Sequence, residues 1–125
     1  EWVERLIDAC DDDEVGGLLA LPVADTLKAA TPGSEGEPRA EATVDRAAKW
    51  AAQTPQMFRL GLLRPALVGA LSDPELAARI TDEASAIEAL GHQPRLVPGD
   101  FENFKVTWPG DFALAARLLA TLPPT

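Results

Sequence analysis

The sequence is 125 residues long, 46% of it is hydrophobic, and its formal net charge is −9. This length indicates a single domain, and this hydrophobic content can fill a core. The sequence pI near 4.4 argues against a nucleic-acid-binding surface, which neutralises phosphates with clustered Lys and Arg. A small phosphorylated ligand is not excluded, because a few well-placed cations suffice to bind it.

Cysteine content and hydropathy bear on the cellular compartment. Cys10 is the only cysteine, so an internal disulfide is impossible and a reducing compartment fits. No apolar run is long enough to cross a bilayer, and no signal peptide opens the chain. We therefore expect a cytoplasmic protein.

The first elements are a helix and a buried strand. Apolar residues in EWVERLIDAC (1–10) follow helical spacing from the start, without an initiator Met or a capping residue, which indicates a fragment of a longer protein. The acidic run 11–14 and the glycines after it end this helix. The continuous apolar run GGLLALPV (16–23) is typical of a strand that is buried on both faces.

The next stretch predicts a hairpin and a further strand. DTLKAA and EATVD flank the Gly-, Pro- and Ser-rich connector 31–40, which indicates a hairpin or a protruding β-arm at about 25–46. WAAQTPQMF (50–58) predicts a strand followed by a turn, with Thr54 just after the strand. In residues 58–71 leucines recur on one helical stripe, and Pro65 predicts a kink or the start of the regular helix.

The last third alternates helices and strands. Asp73 and then Thr81 are predicted N-caps of two helices, the second of which ends at Gly91. Residues 93–99 and 103–107 predict strands, and a final helix begins at Pro109. Alternation of strands and helices predicts an α/β protein with a doubly wound, mostly parallel sheet.

A ligand site is expected where such strands end. Ligands bind beyond the carboxyl ends of the strands in doubly wound sheets. Thr54 follows one predicted strand, Lys105 lies at the end of another, and Thr81 caps a helix whose N–H groups and dipole favour an anion. This pattern predicts a phosphate site on one rim. An ordinary capped helix with stabilising acids in its first turn is the alternative that the residues leave open.

Several motifs give a more specific resemblance. They are PVADTLK (22–28), TVDR (43–46), QTPQMF (53–58), ITDEAS (80–85) and NFKVTWPGD (103–111). In this order they resemble the 2-C-methyl-D-erythritol 4-phosphate cytidylyltransferases of the non-mevalonate isoprenoid pathway. The resemblance covers almost the whole chain but only the family's C-terminal half. The family's Gly-rich CTP loop and its HDAARP-like segment are not in this sequence.

The resemblance implies a fold, a reaction and a set of site residues. The fold is part of a Rossmann-like nucleotidyltransferase domain spanning 1–125. In the reaction, an oxygen of methylerythritol phosphate attacks the α-phosphorus of CTP and releases pyrophosphate. Arg46 and Lys105 match the family's catalytic cations, which position the acceptor phosphate, and Thr26, Thr54 and Thr81 match threonines that line the acceptor pocket.

The resemblance also implies partners. The arm crosses a homodimer, so that Thr26 and Arg46 serve the neighbouring subunit. Mg²⁺ or another divalent cation is bound mainly through CTP and the absent half, and the 125-residue chain alone is expected to be inactive. Two alternatives stay open: a related ribitol-phosphate-type cytidylyltransferase, and an inactive dimerisation fragment.

Overall fold

The computed structural model describes residues 1–121, so residues 122–125 of the predicted domain lie outside the described part of the chain. The elements, in chain order, are α1 (Trp2–Cys10), β1 (Gly16–Pro22), β2 (Leu27–Pro32), β3 (Pro38–Val44), β4 (Trp50–Phe58), α2 (Leu60–Ser72), α3 (Pro74–Ala77), α4 (Glu83–Ala89), β5 (Arg95–Pro98) and α5 (Pro109–Leu119). None of the helices within these residues has the length and apolarity needed to span a membrane.

The main sheet has three strands in the order β4-β1-β5. β1 runs parallel to β5 and antiparallel to β4, so the sheet is mixed. The α/β class is therefore confirmed. The strand predicted at 103–107 does not form, because residues 104–107 have no regular secondary structure and pair with no strand.

β1 lies at the centre of the core. Residues 16–20 are buried in succession, which confirms the prediction of a strand covered on both faces. One cluster packs α1 on the sheet through Leu6, Cys10, Leu19 and Val97. A second cluster joins α2 to α4 around Ala66 and Ile87.

The α2 helix differs from its sequence pattern. It begins at Leu60, so that Pro65 lies inside the helix after its first turn. Leu60 and Leu71, at the two ends of the predicted leucine stripe, are 74% and 80% exposed. Ala66 and Ala70 are buried instead, because small side chains allow α2 to approach its neighbouring elements closely.

The hairpin predicted at about 25–46 is present. β2 and β3 pair antiparallel and form a separate two-stranded sheet with mostly exposed side chains. The Lys28 ammonium donates a hydrogen bond of 2.6 Å to the Thr43 hydroxyl across the pair. That this hairpin reaches a second subunit stays a prediction.

β4 contains a bulge, and its strand is longer than expected. The pairs Leu18–Gln56 and Ala20–Ala52 leave only Leu19 between them on β1, opposite the three residues 53–55 on β4. The predicted turn after Gln53 is therefore wrong, and Thr54 lies within the strand. Because β4 is an edge strand of the described sheet, a proline is tolerated in it. We call residues 53–55 the β4 bulge.

Candidate functional site

A cleft of about 580 Å³ lies between the β4 bulge, the start of α4 and the segment after β5. Thr54, Thr81 and Lys105 all line it. Its other lining residues are Ala51, Ala52, Gln53, Gln56, Asp82, Glu83, Asn103 and Phe104. The structure therefore brings together three of the side chains that sequence reasoning placed at a phosphate site. The cleft has two walls, which we call the helix wall (residues 81–85) and the loop wall (residues 99–107).

Asp82, rather than Thr81, caps the helix wall. The Asp82 carboxylate accepts a hydrogen bond of 2.9 Å from the Ser85 N–H, and the Ser85 hydroxyl accepts one of 3.1 Å from the Asp82 N–H. This reciprocal arrangement is a capping box. The prediction of Thr81 as N-cap is wrong because Thr81 stands one residue too early to reach the Ser85 amide. Thr81 instead donates its own N–H to the Ser85 hydroxyl.

Gln56 ties the helix wall to β4. Its amide nitrogen donates to the Asp82 carboxylate at 2.9 Å, and its amide oxygen accepts from the Ala84 N–H at 2.9 Å. Burial raises the pKa of Asp82, but the hydrogen bonds from Gln56 and Ser85 outweigh it, so that the pKa lies below its ordinary value. The carboxylate is therefore ionised at neutral pH.

These contacts change the expectation for an anion at this helix end. The N–H groups of Ala84 and Ser85 already have protein acceptors, and a carboxylate occupies the capping position. The helix start is therefore not the open anion site that the sequence suggested. A phosphate in the cleft would be held by side chains.

The loop wall is held by side-chain amides. The Gln53 amide nitrogen donates to the Asp100 carbonyl at 2.8 Å, and the Asp100 N–H donates to the Gln53 amide oxygen at 3.3 Å. The Asn103 amide donates to the Thr54 carbonyl at 2.7 Å. These bonds join Asp100 and Asn103 of the loop wall to β4 without any strand pairing.

Lys105 is the cation of the cleft. It is exposed, and its ammonium makes neither a hydrogen bond nor an ion pair with any residue in 1–121. Asp82 and Glu83 line the same cleft, so the negative side chains outnumber the positive one. A phosphate bound there would therefore meet one cation and two acids.

Thr26 and Arg46 lie away from this cleft. Thr26 is exposed just before β2, and Arg46 is exposed just after β3. The Arg46 guanidinium donates to the Ala24 carbonyl at the base of the hairpin. Within one chain the structure does not bring these two residues to Lys105. That they contribute to the site of a neighbouring subunit stays a prediction.

The cleft does not by itself fit a divalent cation. In the described part of the chain, no group of three or more His, Cys, Asp or Glu side chains could hold a metal ion. Both oxygens of the Asp82 carboxylate already accept hydrogen bonds from protein groups.

Sequence reasoning missed the three amide side chains that build the walls. Gln53, Gln56 and Asn103 bond to groups at least 26 residues away in the chain. One local signal was available: Pro55 between two glutamines, inside a strand-like run, indicates a bulge that redirects the neighbouring side chains.

Comparison with solved structures shows the fold class of this mixed α/β chain, which is that of Rossmann-like nucleotidyltransferases. A crystal structure of 4-diphosphocytidyl-2C-methyl-D-erythritol synthase matches with a TM-score of 0.78 and 47% identity, over 94% of this chain and 49% of that one. The 2-C-methyl-D-erythritol 4-phosphate cytidylyltransferase (IspD) of Francisella tularensis matches with a TM-score of 0.78 and 32% identity, over 93% and 51%.

Sequence comparison identifies the family. Residues 1–121 match the family described as IspD: 2-C-methyl-D-erythritol 4-phosphate cytidylyltransferase, and the chain belongs to this family. The enzyme of that name from Bordetella petrii is 61% identical over 115 residues, which cover 92% of this chain and 47% of that protein. The chain thus spans about half the length of the curated relatives it matches. The family prediction is confirmed, whereas these shares do not support its narrower form, a match to the C-terminal half.

Proposed function

We propose that this chain forms the acceptor-binding part of an enzyme that transfers a cytidylyl group from CTP to 2-C-methyl-D-erythritol 4-phosphate. Family membership and the names of its relatives support this reaction. The observation that carries the proposal is the cleft in which Thr54, Thr81 and Lys105 meet. The products are CDP-methylerythritol and pyrophosphate.

The acceptor phosphate fits the polar side chains of the cleft. Lys105 offers an ammonium without a protein partner, and each charge-assisted hydrogen bond from it is worth about 1.5–3 kcal/mol. The hydroxyls of Thr54 and Thr81 are exposed at the same cleft and can donate to phosphate oxygens. An oxygen of the phosphate held there attacks the α-phosphorus of CTP, and the bond from that phosphorus to the pyrophosphate breaks.

Most of the rate enhancement in this reaction comes from positioning and from neutralising charge. With one cation and two acids, the cleft needs a second cation, and Arg46 is the candidate. Its place on the hairpin base, away from Lys105 of the same chain, supports a homodimer in which Arg46 and Thr26 reach the neighbouring site. Arg supplies a planar fork and Lys a compact charge, so the two cations are complementary.

CTP and its divalent cation are assigned to residues outside this chain. The sequence contains no Gly-rich loop with neighbouring cations that could hold a triphosphate. The described residues also lack a metal-ligand cluster. We therefore assign the acceptor side of the reaction to this chain.

The test uses Lys105→Ala in the full-length protein. We expect kcat/KM for methylerythritol phosphate to fall about tenfold to a few hundredfold, with little change in KM for CTP. Lys49→Ala is the matched control, because Lys49 is exposed and does not line the cleft. Wild-type kcat/KM in Lys105→Ala would overturn the site. If the wild-type protein used ribitol 5-phosphate with the same kcat/KM as methylerythritol phosphate, the proposed acceptor would be wrong.

A further inference from the structure

The loop wall has no regular secondary structure to fix its position. Residues 104–107 are neither helix nor strand, and Lys105 lies in the middle of them. A flexible segment would hold the Lys105 ammonium poorly, and a displacement of about 1 Å can lower a rate substantially. The position of Lys105 therefore depends on the side chains that tie this loop to β4.

The β4 bulge supplies the main tie. Because residues 53–55 stand opposite Leu19 alone, they leave the regular ladder, and bulges of this kind redirect side chains. The Gln53 amide bonds through both its oxygen and its nitrogen to the backbone of Asp100, two residues after the end of β5. These two hydrogen bonds hold the start of the loop wall against β4, where no strand within residues 1–121 pairs with it.

Gly99 makes room for this contact. A Cβ atom added at Gly99 would lie only 2.0 Å from the amide oxygen of Gln53. The Gly99 N–H also donates to the Ala20 carbonyl at 2.9 Å, which extends the pairing of β5 with β1 to this residue. Gln53 thus contacts the loop at the last residues that the sheet still holds.

We propose that Gln53 is a positioning residue, which fixes the loop wall so that Lys105 faces the acceptor phosphate. This inference rests on the proposed function for the role of Lys105. We expect Gln53 to act through the loop, because its amide nitrogen and its amide oxygen both bond to the Asp100 backbone. Asn103 adds a second tie, from its side chain to the Thr54 carbonyl.

Kinetics of Gln53→Met in the full-length protein test the proposal. This variant keeps the length of the side chain and removes both hydrogen bonds. We expect KM for methylerythritol phosphate to rise about tenfold, while kcat and KM for CTP change less than about twofold. Gln93→Met is the matched control, since Gln93 is exposed and makes no side-chain hydrogen bond within residues 1–121. An unchanged KM in Gln53→Met would overturn the proposal.

A double-mutant cycle separates positioning from direct contact with the substrate. In a Lys105→Ala background, Gln53→Met should change KM for the acceptor less than about twofold, because its effect passes through Lys105. The same tenfold rise in both backgrounds would show that Gln53 acts independently of Lys105, and would overturn the proposal.

Hydrogen exchange gives a readout that needs no activity. Gln53→Met should speed exchange of the hydrogen-bonded amides of Asp100, Glu102 and Asn103 about tenfold or more and leave those of α1 and β1 unchanged. Faster exchange in Gln53→Met would support the contact between Gln53 and the loop wall, even if the full-length protein does not use methylerythritol phosphate. In that case only the proposed function would be overturned. Unchanged exchange would overturn the tie. If Gln53→Met does not fold, Gln53→Glu keeps the acceptor oxygen, loses the donor to Asp100 and should give the same pattern.

Discussion

The two walls of the cleft present side chains to one space but are held in place differently. The helix wall is built from short-range contacts: Asp82 and Ser85, three residues apart, cap each other, and Gln56 adds one bond network from β4. The loop wall has no such local frame. It is held by Gln53 and Asn103 through bonds that join residues 47 and 49 positions apart. The first wall thus combines a local capping box with a long-range support from Gln56, whereas the second is joined to β4 by long-range bonds alone.

The two walls should therefore differ in how much their contacts contribute to stability and to the position of Lys105. Contacts of the helix wall involve the buried residue Ala84 and a partly buried carboxylate, so their loss should lower the free energy of unfolding. In the loop wall, the Gln53 contacts are partly buried, the Asn103 contact is exposed, and none involves a fully buried residue. Their loss should therefore affect the position of Lys105 more than global stability. We expect the loss in unfolding free energy of the full-length protein to decrease from Gln56→Leu through Asp82→Ala to Gly99→Ala.

Gln56→Leu should have the largest effect. It removes the acceptor of the buried Ala84 N–H and the donor to Asp82, and an unsatisfied buried amide costs about 1–3 kcal/mol. We expect a loss of about 2 kcal/mol in urea-induced unfolding. Gln93→Leu should cost less than about 0.5 kcal/mol, since its side chain is exposed. Equal losses in the two variants would show that Gln56 does not support the helix wall.

Asp82→Ala should cost about 1 kcal/mol, the usual effect of removing an N-cap. Thr81→Ala is the direct comparison, because sequence spacing favoured Thr81 and the structure favours Asp82. The side chain of Thr81 makes no cap hydrogen bond in residues 1–121, so its loss should cost less than about 0.5 kcal/mol. The reverse order in chemical denaturation would contradict the assigned cap.

The contribution of the Asp82 charge should depend on pH. The folded-state pKa of Asp82 is lowered, so ionisation stabilises the fold above the ordinary aspartate pKa of about 3.9. This stabilisation is lost as pH falls through the folded-state pKa. Asp82→Asn keeps a capping oxygen without the charge, so its deficit in unfolding free energy should be present at neutral pH and disappear in acid. A deficit that is constant from pH 7 to about 2 would contradict this.

Gly99→Ala should have the smallest effect on stability, below about 0.5 kcal/mol. The added methyl group meets the end of the flexible Gln53 side chain, which can move aside. That movement breaks the tie to Asp100, so KM for the acceptor should rise about threefold to tenfold. Gly69→Ala is the control, because a Cβ there meets nothing within 4 Å. Wild-type KM in Gly99→Ala would show that the loop wall holds its position without Gln53.

Much of the fold follows from local patterns. Helical spacing predicts α1, a continuous apolar run predicts β1, and the Gly- and Pro-rich connector predicts the hairpin of β2 and β3. Asp73 before Pro74 predicts the start of α3. Each of these signals lies within a few residues of its consequence. The false strand at 103–107 shows the limit, because short apolar alternation forms a strand only where another strand is available to pair.

Three of the residues that line the cleft were predictable from the sequence, whereas the side chains that support them were not. Thr54, Thr81 and Lys105 carry the hydroxyls and the charge that phosphate chemistry needs, so residue type and resemblance pointed to them. The choice between Thr81 and Asp82 as cap depends on the Ser85 hydroxyl and on Gln56, which lies 26 residues away in the chain. The role of Gln53 in holding the loop wall can be recognised only once the β4 bulge and the contact with Gly99 are known.

The packing of α1 on the sheet makes the Cys10 thiol a probe of the motion of this helix. Cys10, the only cysteine in the sequence, is 1% exposed, and its sulfur lies 3.0 Å from the point where a side chain at Gly17 would begin. Burial, with a smaller effect from Asp13, raises the pKa of the thiol, so it reacts slowly while α1 covers β1. The rate at which a thiol reagent labels the unmodified sequence therefore measures how often α1 detaches from the sheet.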